Sequence, residues 1–215
     1  MSVNQLHGKR FEDFIKGCGL FPGASDQSRS VTAGFDIEAK FDRSKGLATS
    51  IKASGNDTIG LSDARRFFSV IQPYRMIVGR YRQSGGQKVF AEVHECILSQ
   101  EAIVTLHGAM TLEIVTDFHE GLLLNNFPQD QHLAARAWAQ DRKAALAQVE
   151  TKIILNPKID SKSQRRLQCS VHLGDLIEVS KAFDSYHLHD QSIGDFGLPI
   201  IQNSARRIFQ TKLTP

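Results

Sequence analysis

Residues 34–54, GFDIEAKFDRSKGLATSIKAS, constrain the fold more than any other stretch of this sequence. Phe35, Ile37, Ala39 and Phe41 alternate with Asp36, Glu38, Lys40 and Asp42; Leu47, Thr49, Ile51 and Ala53 alternate with Ala48, Ser50, Lys52 and Ser54. Successive side chains of a strand point to opposite faces, so the alternation predicts two strands, 35–41 and 47–53. Between them, residues 42–46 (DRSKG) have turn chemistry, with a glycine able to take positive φ. Paired antiparallel, the strands would gather Asp36, Glu38, Ser50 and Lys52 on one polar surface. Acids opposite a lysine are ordinary cross-strand partners on a solvated face. The same surface is also a place for a divalent cation beside a lysine, and periodicity leaves both readings open.

At 215 residues the chain is expected to form a single domain, 1–215, with a substantial core. Its apolar runs are too short for a membrane span, and the N-terminal MSVNQLHGKRFEDF lacks the apolar centre of a secretion signal. Cys18, Cys96 and Cys169 are widely spaced and odd in number, which favours a reducing, cytoplasmic compartment over a disulfide framework or a zinc site.

Further elements follow from period and punctuation. A helix is expected over 5–16, with Leu6, Phe11, Phe14 and Ile15 on one side, ending at Gly17-Cys-Gly. The stretch 20–33 is loop-rich. Ser62 is expected to cap a helix over 62–71, packed through Phe67, Phe68 and Ile71 and closed by Pro73. Residues 74–81 and 88–98 read as a hairpin across 83–86. A short helix over 100–107 follows, and 111–118 could be strand or helix. An alanine-rich helix is expected over 132–153, with Leu133, Trp138, Leu146, Val149 and Ile153 as its apolar stripe and Asn156-Pro157 as its break. The HLHD at 187–190 and the DFG at 195–197 lack the companion residues of a metal or kinase site and read as structural.

Glu12 in FEDFIKG, Asp36 in GFDIEAKF and Lys52 in TSIKAS, taken in that order, resemble the core of the PD-(D/E)xK nuclease superfamily, which includes many type II restriction endonucleases. The resemblance covers roughly residues 5–98. It implies an α/β, restriction-endonuclease-like fold, a mixed central sheet flanked by helices, with the catalytic core at about 5–98 and a helical and DNA-recognition part at 99–215. It further implies Asp36 as principal Mg2+ ligand, the Ile51 carbonyl as a further ligand, Lys52 as the group that orients or activates the attacking water, and Glu12 turned toward the cleft. Two positions depart from the pattern. Phe35 stands where the family has proline, and Ser50 stands where the second acid is expected, two residues before the lysine. Some restriction enzymes with Ser-x-Lys recruit an acid from the following helix, and Asp57 and Asp63 are the only acids between Ala53 and Ala91. Glu38, about 7 Å along the strand face from Asp36, is the favoured replacement, with Asp63 next and Glu12 third.

Charge is segregated. Residues 89–135 hold seven acids and no Lys or Arg, which leaves +10 on the rest of a chain of net charge +3. One face for a polyanion and another that avoids it would give this pattern, as would a charge-complementary subunit contact. From Lys152 to Arg166 there are five basic residues and one acid. Lys158, Lys162, Arg165 and Arg166 could neutralise phosphates, while Gln164, Gln168 or an arginine could reach base edges; Arg29 in the loop 20–33 could also approach DNA. Three functions fit: a magnesium-dependent, sequence-specific endonuclease for double-stranded DNA, acting as a homodimer on two-fold sites; a structure- or lesion-specific repair or recombination nuclease; and a catalytically inactive DNA-binding protein of the same fold.

Overall fold

The structure, a computed structural model, describes residues 3–17, 19–26, 34–84, 87–189 and 202–204. Cys18, Arg29, Asp190, the DFG at 195–197 and the hairpin tip at 85–86 lie outside the described residues. In chain order the elements are α1 (Val3–Lys16), β1 (Thr49–Ser54), β2 (Thr58–Asp63), α2 (Ala64–Ser69), β3 (Tyr74–Ser84), β4 (Gln87–Leu98), α3 (Gln100–His107), α4 (Leu112–Gly121), α5 (His132–Ala145), β5 (Ile153–Ile159), β6 (Arg165–His172), α6 (Leu173–Ala182), β7 (Tyr186–His189) and β8 (Gln202–Ser204). One sheet runs β1-β3-β4-β7, with β8 also on β4; β1 is parallel to β3 and β8 antiparallel to β4, so the sheet is mixed. The other is antiparallel, in the order β2-β6-β5. The fold is thus α/β, with a mixed sheet and flanking helices. Among the described residues no helix is long and apolar enough to cross a membrane.

Two compact units emerge, and the chain passes between them four times. One comprises Met1–Asn56, Arg75–Glu95 and His187–Pro215; the other comprises Asp57–Tyr74 and Cys96–Tyr186. In the first, Phe11 and Ile15 of α1 are buried with Ile37, Ile51, Ile77 and Phe90. The Phe11 and Phe90 rings stack at 4.6 Å. Gly79 of β3 makes that approach possible, because a Cβ there would lie 2.5 Å from the Phe11 ring.

The expected strand 35–41 does not form. Ile37 makes a single antiparallel bridge to Thr49, and Ala39–Phe41 is a 3-10 turn. The physical reason lies at Asp42. Its carboxylate accepts from the Ser44 N–H (2.9 Å), the Ser44 hydroxyl (2.8 Å) and the Leu47 N–H (3.0 Å), which folds 42–47 into a tight local loop instead of a hairpin turn between ladders. Gly46, with φ of 64°, completes it. The second strand starts at Thr49 and takes β3 as its parallel partner, from Thr49↔Arg75 to Ser54↔Arg80.

Several expectations in the second unit are corrected, and the open reading of 111–118 is resolved. Ser62 does not cap α2; it lies within β2 at φ 77°, beside a register shift, and Asp63 caps the helix by accepting from the Arg66 N–H at 2.9 Å. Phe67 and Phe68 are buried as expected, but Ile71 is 69% exposed. The segment 111–118 is helical (α4), with the Thr111 hydroxyl as its cap. The helix expected over 132–153 stops at Ala145, and Pro157 lies within β5, opposite Leu167. A proline is tolerated there because β5 is an edge strand. The buried residues of α5 are Ala135 and Ala139, while Leu133 is 67% exposed. Small residues set this packing: Trp138 lies over Gly121 and packs its ring against Phe118 and Phe127.

Candidate functional site

β1 is an edge strand of the mixed sheet. The Thr49 N–H donates to the Ile37 carbonyl, and the Thr49 carbonyl accepts from Asp36 and Ile37. Two residues on, the Ile51 N–H meets a side chain instead, donating to Asp36 Oδ2 at 2.6 Å. The same oxygen accepts from the Ser50 hydroxyl at 3.4 Å and stands 3.7 Å from Lys52 Nζ. Side-chain exposures of 31% for Asp36 and 20% for Lys52 make this a half-buried, reachable pair. The parity expected of 47–53 therefore holds where it matters: Ser50 and Lys52 share a face, and Asp36 reaches both. In an extended strand the N–H and C=O of one residue point to the same side. The Ile51 carbonyl accordingly lies on the edge where Asp36 sits.

Other acids named from sequence do not join this cluster in the same way. Glu12 pairs along α1 with Lys16, which is buried, and with Lys9 at 3.8 Å. The Lys9 ammonium is held above its usual range, first by its hydrogen bond to Asp13 and then by the charges of Glu12, Asp13 and Asp36. Glu38 ends the extended piece and pairs with Lys40 at 2.8 Å; the strand spacing that set it beside Asp36 ends at the 3-10 turn. Asp63 belongs to the second unit and is occupied as the cap of α2. Among the described residues, Asp36 is thus the carboxylate brought to Lys52.

Among the described residues no group of three or more His, Cys, Asp or Glu stands together to hold a metal ion. Magnesium does not require one. It keeps several waters and is usually held by one or two carboxylates plus the phosphates of its substrate. Asp36 Oδ1, with the Ile51 carbonyl on the same edge, fits that minimal set.

The basic segment folds as the hairpin of β5 and β6, and its residues separate by face. Lys158, Lys162 and Arg166 are exposed, and Gln164 and Gln168 half-buried. Arg165 is only 7% exposed. Its guanidinium donates to the carbonyls of Asp160 and Gln164 (both 3.0 Å) and of Pro128 (3.4 Å), so it clamps the turn from inside and presents nothing to a phosphate.

Sequence patterning missed a buried polar centre in the first unit. Arg75, 1% exposed, donates to the Ser44 hydroxyl at 2.7 Å and brings Nη1 to 3.1 Å from Asp42 and Nε to 2.9 Å from Glu95. His189 in turn lies 3.0 Å from Glu95. A β3 strand reading YRMIVGRY gives no hint that Arg75 turns inward, except that it breaks an otherwise apolar run. Comparisons with protein-family models, with curated proteins and with solved structures gave no match to this chain.

Proposed function

We propose that this chain is a magnesium-dependent endonuclease for double-stranded DNA, of restriction-endonuclease-like fold, working in the cytoplasm as a homodimer. The observation that carries the proposal is the meeting of the Asp36 carboxylate, the Ile51 peptide edge and the Lys52 ammonium, in the order and spacing that resemble the PD-(D/E)xK nucleases. Phosphodiester hydrolysis needs an in-line water, relief of the negative charge that builds on phosphorus, and help for the leaving oxygen; bound magnesium would supply charge relief and polarisation of the scissile phosphate. Asp36 Oδ1 and the Ile51 carbonyl would hold that ion. Lys52, kept in place by Asp36, would bind the attacking water or the non-bridging oxygen by charge. Ser50 contributes a hydroxyl and no charge, so the substrate phosphate completes the site.

Incubating plasmid DNA with the protein and magnesium, and resolving the products on a gel, tests this directly. Discrete fragments are expected. Lys52→Ala should slow cleavage by roughly 10²–10⁴-fold. Asp36→Asn should abolish it while keeping an oxygen for the Ile51 N–H, and both variants should retain DNA affinity. Unlocalised nicking would favour the repair-type nuclease, and duplex binding with no cleavage the inactive DNA-binding protein. Full activity in either variant would refute the site.

A further inference from the structure

β2 pairs with β6 only from Thr58↔His172 to Asp63↔Gln168. The ladder between β5 and β6 continues past that point, through Pro157↔Leu167 and Lys158↔Arg166 to Ile159↔Arg165. The end of the hairpin is therefore a two-stranded antiparallel ribbon. Its faces differ sharply. On the inner one Arg165 and Leu167 are 7% and 0% exposed. On the outer one Lys158 and Arg166 stand directly opposite each other and exposed, with Lys162 exposed in the turn between the strands.

Like charges directly opposite in an antiparallel pair repel, and a bound polyanion removes that penalty. The acids nearest in register are already engaged with backbone. Asp63 Oδ1 accepts from the Arg66 N–H, and Asp160 Oδ1 accepts from the N–H groups of Lys162 (2.9 Å) and Gln164 (2.8 Å). One row further along the outer face, about 7 Å by strand rise, Asn156 stands opposite Gln168. Asn156 Nδ2 donates to Ser170 Oγ at 2.8 Å and to the Ile154 carbonyl at 3.1 Å, so its amide is oriented and Oδ1 is left as an acceptor.

We propose that this ribbon is a duplex-DNA reading element that enters the major groove by its outer face, with Lys158, Lys162 and Arg166 on phosphates and the Asn156–Gln168 amide row at base edges. The major groove of B-DNA admits a two-stranded ribbon; there the Gln168 amide pairs bidentately with adenine, while Asn156, its two Nδ2 hydrogens engaged, offers Oδ1 to a base donor. The proposal rests on the reading of the chain as DNA-acting, but not on chemistry at Asp36 and Lys52.

Binding of the full-length protein to labelled duplex DNA, followed by fluorescence anisotropy in EDTA between about 50 and 200 mM salt, tests it. The double variant Lys158→Ala/Arg166→Ala should weaken binding to every sequence and flatten the log–log salt slope by about 1.8, or 0.9 per lost contact. Lys143→Ala, on an exposed position of α5, should change neither. Gln168→Ala should leave the slope alone and change the sequence enriched from a pool of random duplexes, by roughly 5- to 150-fold at one base position. A double variant with wild-type affinity and slope overturns the proposal, as does an unchanged enriched sequence in Gln168→Ala, or equal affinity for single strands and for duplex RNA. If plasmid is cut but the ribbon variants bind normally, the ribbon fails and the catalytic reading stands. If ribbon-dependent binding occurs without any cleavage, the ribbon stands and the catalytic reading fails.

Discussion

Arg75→Met should be among the most damaging single changes in the first unit. The guanidinium stands between two carboxylates, Asp42 with a fully buried side chain and Glu95 at 14% side-chain exposure. Removing it leaves both without their cation, and breaking a buried ion pair from one side typically costs about 3–5 kcal/mol. For a chain of this length that is a fall in Tm of roughly 6–20 °C. The penalty should also depend on pH. Burial pushes Asp42 upward, but hydrogen bonds from Leu47 and Ser44 and the charge of Arg75 outweigh it and hold the carboxyl below its ordinary range. Glu95 behaves alike, burial being outweighed by the hydrogen bond from His189 and by Arg75. A carboxyl depressed in the native state contributes stability that is present above its unfolded pKa and is lost as pH falls through the native one. Without Arg75 both native values rise, so the difference between wild type and variant should be largest near neutrality and shrink toward pH ~4. Thermal melts at several pH values measure this, and Asp42→Asn in the Arg75→Met background should recover about 0.5–3 kcal/mol through coupling. A Tm shift below about 2 °C, or a penalty that does not change with pH, would refute the account of this centre.

Gly79→Ala should destabilise by about 1–3 kcal/mol through overpacking against the Phe11 ring, and Phe11→Leu should relieve part of that in the double variant; urea denaturation checks both. His107, stacked on Phe68 at 4.2 Å with its Nε2 unpartnered among the described residues, is pushed by burial from 6.5 to about 4. The unfolded chain takes up the proton first, so stability should fall as pH drops from 6.5 toward 4. His107→Phe keeps the stacking and should flatten that fall; a Tm-versus-pH profile parallel to that of the wild type would refute it.

Local signals located what local forces build. Phe11 and Ile15 carry α1 into the core, α3 spans Gln100–His107 as expected of 100–107, and β3 and β4 lie side by side as the hairpin reading expected. The failures share one cause, which is that the deciding partner is remote in sequence. Residues 35–41 alternate like a strand, yet β1 finds its ladder in β3, across an intervening strand and helix. Nothing near residue 47 signals a parallel partner starting at Arg75. Pro157 stops a helix when only its neighbours are considered, and becomes acceptable in a strand once β5 is known to lie at an edge. Arg165 belongs to a basic run in sequence, and carbonyls of its own turn, with that of Pro128, draw it inside.

The meeting of Asp36 and Lys52 was legible for a different reason. Asp36 and Lys52 are separated by a loop in which the Asp42 carboxylate accepts from Ser44, Lys45 and Leu47, so their meeting does not depend on the hairpin that the alternation implied. A single bridge, Ile37↔Thr49, fixes Asp36 against the strand, and the two-residue period then places Ser50 and Lys52 on one face. That bridge also gives Asp36 a structural task, because its Oδ2 satisfies a peptide N–H on an edge strand. Loss of function in Asp36→Ala would confound an unpaired Ile51 N–H with a missing charge. Asp36→Asn, which keeps the acceptor and removes only the charge, separates the two.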